Sequence, residues 1–89
     1  MANLKIVVTG ATGLLGKATA THLVEHGHEV ISVDRKDGDF AAGSKLVVGD
    51  LTSLEFCDSV IDGASAVIHL VQFQTQRMRA SLQSFKIIV

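Results

Sequence analysis

The run Thr9-Gly10-Ala11-Thr12-Gly13-Leu14-Leu15-Gly16 constrains this chain more than any other stretch. An apolar, β-branched segment, Leu4 to Val8, leads into it and reads as a buried parallel strand. A helical pattern leaves it, opening at Thr12 or Gly13 and running to about His26. Its inward face is predicted to be Gly16, Ala20, Leu23, Val24 and Gly27, with Gly27 as the stop. Three glycines in such a strand-to-helix turn have separate tasks. Gly10 permits a tight turn off the strand, Gly13 admits close approach of a bound pyrophosphate, and Gly16 lets the helix pack tightly. The free amides and positive dipole end of the helix would then face the anion.

Downstream periodicity extends the pattern. Val30 to Val33 forms a second strand with Asp34 at its carboxyl end. Residues 35–44 are polar and glycine-bearing, a loop or short poor helix, and Leu46 to Val48 forms a third strand. Thr52 and Glu55 have capping-box spacing and predict a helix over about 53–62, with Leu54, Cys57 and Ile61 on one face and Gly63 at its end. Ala66 to Val71 is a fourth apolar strand. The fold class is therefore α/β, an open parallel sheet of about four strands in the order 3-2-1-4, flanked by helices. A helix near 75–85 and a strand begun by Ile87 to Val89 are further expectations. Residues 1–71 form the nucleotide-binding half-domain, and 72–89 a helical continuation of the same domain.

Asp34 lies 24 residues beyond Gly10. A carboxylate at that strand tip accepts hydrogen bonds from the hydroxyls of an adenosine ribose and repels a 2′-phosphate, which favours NAD over NADP. Arg35 and Lys36 beside it soften that preference. The plainer reading of Asp34 is a solvated strand-end acid, and of Asp50 a carboxylate capping its own turn.

The run VTGATGLLG, taken with Asp34, Gly49-Asp50-Leu51 and Val67-Ile68-His69-Leu70, resembles the extended short-chain dehydrogenase/reductase family, the NAD-dependent sugar-nucleotide epimerases and dehydratases. The resemblance covers about residues 3–71 and implies a partial Rossmann fold. It implies that Thr12, Gly13, Leu14 and Leu15 line the pyrophosphate, that Asp50 and Leu51 hold the adenine, and that the segment from His69 and Leu70 passes beneath the cofactor ribose. This chain has His69-Leu70-Val71-Gln72 where the family usually has His-Leu-Ala-Ala, and no family motif is evident beyond Gln72. The family's catalytic Tyr-x-x-x-Lys is missing, since these residues include no tyrosine. Ser81 and Ser84 have no phenol to work with.

Other chemistries fare worse. His22-Leu23-Val24-Glu25-His26 matches an inverted zinc-protease motif, but both histidines turn away from the inward helix face and no third ligand is evident, so no metal is expected. A P-loop reading of Gly16-Lys17 needs a glycine where Ala11 stands and a hydroxyl where Ala18 stands. Cys57 on an apolar helix face reads as core filler, and His69 as a packed strand-end histidine.

Composition narrows the partners. With 47% hydrophobic residues and a net charge of −1, the chain is globular and offers no basic footprint for nucleic acid. Residues 1–62 carry five Lys/Arg against nine Asp/Glu, whereas 63–89 carry three cations and no acid. No apolar run reaches the roughly 20 residues of a membrane span, and a lone cysteine suits the cytoplasm. The expected function is an NAD(H)-holding fragment, inactive alone and truncated or divergent after about residue 72. The alternative is a non-catalytic nucleotide-sensing or partner-binding module, with ATP or GTP binding as a third possibility. A bare fourth-strand edge predicts self-association or a missing C-terminal partner chain.

Overall fold

The computed structural model describes residues 4–70. Val71, the expected helix near 75–85, the expected strand at 87–89 and the three cations of 63–89 (Arg77, Arg79 and Lys86) lie outside the described residues.

Four strands and two helices follow one another as β1 (Lys5–Thr9), α1 (Leu14–Glu25), β2 (Glu29–Asp34), β3 (Lys45–Val48), α2 (Leu54–Ile61) and β4 (Ala66–His69). The strands form one parallel sheet in the order β3-β2-β1-β4, as the alternation of element types predicts. β1 sits centrally, with Val7 opposite Ile31 on one side and Val67 on the other. Both faces of this strand are covered, which is why Ile6-Val7-Val8 is continuously apolar instead of alternating. Ile6, Val8, Val30 and Ile68 pack with Ala20 of α1 and with Ala11. Val7, Ile31, Val33 and Val67 pack with Cys57, Val60 and Ile61 of α2 and with Leu51.

α1 ends as glycine chemistry dictates: Gly27 takes φ +84°, the left-handed conformation, one residue beyond the His26 cap. Gly27 itself is exposed, so the inward face of α1 stops at Val24. Loop 35–44 contains no helix. It folds back along α1, burying Ala41 in the α1-side core and tying the Ser44 hydroxyl to that of Ser32 at 2.7 Å.

The start of α2 differs from the expected capping box. Ser53, not Thr52, is the N-cap and accepts the Phe56 amide at 3.3 Å. Thr52 is diverted because its amide and hydroxyl both donate to Asp50 Oδ1. The buried face also differs from the expected one: Val60 joins Cys57 and Ile61, while Leu54, the first residue of the helix, is 39% exposed. Among the described residues, no helix is long and apolar enough to cross a membrane.

Candidate functional site

A parallel sheet brings the carboxyl ends of its strands to one edge, so the glycine loop after β1, Asp34 ending β2, Asp50 after β3 and His69 ending β4 gather there. The central feature is the turn from β1 into α1. Gly10 takes φ +69°, a conformation that side chains resist, and its carbonyl accepts the Gly13 amide at 3.1 Å. Gly16 has no room for a side chain. A Cβ there would meet the Gly10 carbonyl and stand 2.9 Å from Ala11 Cα, so the close approach it permits is helix against loop. Gly13 is different: its φ is −75° and a Cβ would meet only Gly10 O, at 3.4 Å. The space in front of it is open.

The helix front is equipped for an anion. α1 has no side-chain cap and no acid in its first turn. Its first internal closure is Lys17 N to Gly13 O at 2.9 Å, which leaves the Leu14, Leu15 and Gly16 amides ahead of the hydrogen-bonded ladder. Leu14 and Leu15 are 92% and 66% exposed, so what they direct at the loop is backbone and not side chain.

The end of β2 braces this turn. The Ala11 amide donates to Val33 O at 3.2 Å. Thr12 donates twice to Asp34 Oδ2, from its amide at 3.0 Å and its hydroxyl at 2.6 Å, while the Arg35 amide donates to Oδ1 at 2.8 Å. Partial burial works against ionisation of Asp34. The Thr12 hydroxyl and amide, with the Arg35 and Lys36 amides, outweigh it and hold the carboxyl below its ordinary range. Asp34 is therefore a carboxylate at neutral pH. The Arg35 side chain is exposed.

The remaining expected residues take structural positions around the cradle. Asp50 closes a turn on Thr52, which holds its carboxyl below the usual range. The Leu51 side chain is buried in the α2-side core, and its carbonyl accepts the Cys57 thiol at 3.3 Å. Burial, then the charges of Asp58 and Asp50, push that thiol up, which makes Cys57 inert filler. His69 is 3% exposed with Nδ1 2.6 Å from Thr9 Oγ1, and the same oxygen accepts the Leu70 amide at 3.2 Å. His22 on α1 and His26 at its C-cap lie exposed, and no group of three metal-ligating side chains occurs among the described residues.

Three contributors escaped sequence reasoning. Thr9 bridges β1 and β4, and its one visible signal is a hydroxyl ending an apolar run. Gly38 packs on Thr12, and Asp39 pairs with Lys17 at 2.6 Å. Neither of these has a signal in spacing, because loop 35–44 follows no periodic path.

The sequence model of the NAD dependent epimerase/dehydratase family matches residues 6–88. The chain belongs to this family. That match runs past Val71, the expected end of the resemblance read from the motifs. Among relatives, the 3-beta-hydroxysteroid dehydrogenase of Mycolicibacterium neoaurum is 39% identical over 67 residues, 73% of this chain and 18% of that enzyme. A short-chain dehydrogenase/reductase superfamily protein of Agrobacterium tumefaciens, solved with bound NAD, is 33% identical with a TM-score of 0.68, covering 81% of this chain and 21% of that one. The epimerase Mth375 of Methanothermobacter thermautotrophicus gives a TM-score of 0.77 at 19% identity, covering 96% and 33%. The chain thus spans about a fifth to a third of the length of these proteins.

Proposed function

We propose that this chain is the NAD(H)-holding portion of an epimerase/dehydratase-family enzyme. One observation carries the reading: an uncapped helix front and an open Gly13 stand directly beside an ionised strand-end carboxylate. Gly10, Gly13 and Gly16 shape the turn, and the Leu14, Leu15 and Gly16 amides bind the pyrophosphate. Asp34 accepts from the adenosine ribose and disfavours a 2′-phosphate, so NAD is preferred over NADP. Asp50 and Leu51 border the adenine, and His69-Leu70 runs below the second ribose.

When bound, the nicotinamide would supply hydride acceptance. The 89 residues of the chain bind and orient it, and they include no tyrosine to move a proton at the substrate. We therefore assign no turnover to them alone. The single buried cysteine fits a reducing, cytoplasmic setting.

Isothermal titration of the folded chain with NAD⁺ and, separately, NADP⁺ tests the proposal. Saturable heat with NAD⁺, weaker with NADP⁺, is expected. A folded chain that gives no heat at millimolar NAD⁺ refutes it.

A further inference from the structure

Thr12 has two donors, and both end on one oxygen of Asp34. While that contact stands, neither its amide nor its hydroxyl proton is available to a phosphate. An ionised carboxylate has about four acceptor sites across its two oxygens. Thr12 fills both on Oδ2, whereas Oδ1 receives the Arg35 amide at 2.8 Å, and the Lys36 amide is the weakest of the groups drawn to the carboxylate. Gly38 of loop 35–44 lies close behind the Thr12 side chain. A Cβ on Gly38 would come within 3.2 Å of Thr12 Cβ, so loop 35–44 closes against it, and the neighbouring Lys17–Asp39 pair ties that loop to α1.

We propose that Thr12 is a positioning residue for dinucleotide recognition: clasped to Asp34 Oδ2 and backed by Gly38, it turns the carboxylate so that Oδ1 meets the adenosine ribose. The inference rests on the dinucleotide reading above and deepens it. It moves Thr12 from the pyrophosphate lining to the sugar end of the site. It also makes loop 35–44 part of the selectivity apparatus, although no residue of its Gly38–Asp39 segment need touch the ligand.

The test uses the whole 89-residue chain, with NAD⁺ and NADP⁺ as probes. Thr12→Val keeps the shape and removes the hydroxyl. It should weaken NAD⁺ binding about tenfold, the size of one charge-assisted hydrogen bond, and NADP⁺ binding much less. The preference for NAD⁺ then shrinks by about the same factor. Thr12→Ser should restore the affinity. Gly38→Val alters neither partner of the clasp, yet by crowding Thr12 it should lower NAD⁺ affinity in the same selective way.

A readout without ligand comes from carbon NMR of the Asp34 carboxyl, which should titrate at higher pH in Thr12→Val. The charged residues on neighbouring segments, namely Lys17, Arg35, Lys36, Asp37, Asp39 and Asp50, are common to both proteins, so the comparison isolates the hydroxyl.

Unchanged NAD⁺ affinity in Thr12→Val overturns the inference, whether or not the carboxyl titration moves. So does an equal loss for NAD⁺ and NADP⁺ accompanied by a lower melting temperature, which would mark a purely structural role. Both of those results leave the dinucleotide reading standing. Absence of NAD⁺ binding by the unmodified chain removes both.

Discussion

Thr9 Oγ1 and His69 Nδ1 stand 2.6 Å apart across the junction of β1 and β4, buried, with the Leu70 amide donating to the same hydroxyl. This small polar network lies at the carboxyl ends of β1 and β4, where the connections along the parallel sheet switch from one side to the other, at the rim of the candidate site. His69 Nε2 has no partner among the described residues, so the imidazole is held from one side only. Thr9→Val keeps the shape of the side chain and strands both groups that lean on it. Unfolding in urea should show a loss of about 1–3 kcal/mol, the cost of leaving buried polar groups unmade.

His69 should also make stability depend on pH. Burial holds its pKa below the ordinary 6.5. The unfolded chain, near the ordinary value, therefore takes up a proton that the folded chain refuses. The contribution of this group is intact above about 6.5 and declines as pH falls below it. The urea midpoint should drop between about pH 7 and pH 5. In His69→Gln the slope over that interval should be shallower, and an unchanged slope would remove His69 as its source.

The three glycines should separate folding from binding. Gly16→Ala forces a Cβ into the Gly10 backbone, which cannot move without opening the turn, and should cost about 3 kcal/mol or more in a denaturant melt. Gly13→Ala occupies open space at a permitted φ and should fold within about 1 kcal/mol of the parent. Its NAD⁺ affinity should nevertheless fall at least tenfold by calorimetry, because the new methyl group stands where the pyrophosphate is proposed to lie.

The displaced cap of α2 offers a test at the other end of the sheet. Ser53→Ala should lower stability by about 1 kcal/mol, since the Phe56 amide loses its acceptor. Glu55→Ala should stay within about 0.5 kcal/mol, because the serine and not Thr52 defines the helix start. Thermal melts of the two variants side by side decide between the two caps.

Element types and their order are legible in the sequence because each is a local matter. β-branched runs over Ile6–Val8 and Val30–Val33 mark buried strands, and Gly27 and Gly63 mark helix ends, both at positive φ. Local spacing puts the cap of α2 one residue early. Thr52 and Ser53 are equivalent in local chemistry, and what separates them is that Asp50 captures Thr52 first. Leu54 has the spacing of the buried face, yet as the first residue of α2 it stands at the rim of the core and stays 39% exposed. For the site, Gly10, Gly13, Gly16 and Asp34 can be named from spacing. Thr12 can be named too, but its task cannot, because its partner lies 22 residues away on another strand.

The sequence alone determined that a strand, a three-glycine turn and a helix follow in succession, and that an acid ends the next strand, since these depend on backbone sterics and short-range periodicity. Which group meets which was decided by tertiary structure. Parallel pairing of β1 with β2 brings Asp34 to Thr12, pairing of β1 with β4 brings His69 to Thr9, and the return of loop 35–44 along α1 sets Gly38 behind the threonine. Hydrogen bonds and close contacts act over about 3 Å, and no count of residues along a chain states which distant atoms folding will bring that near.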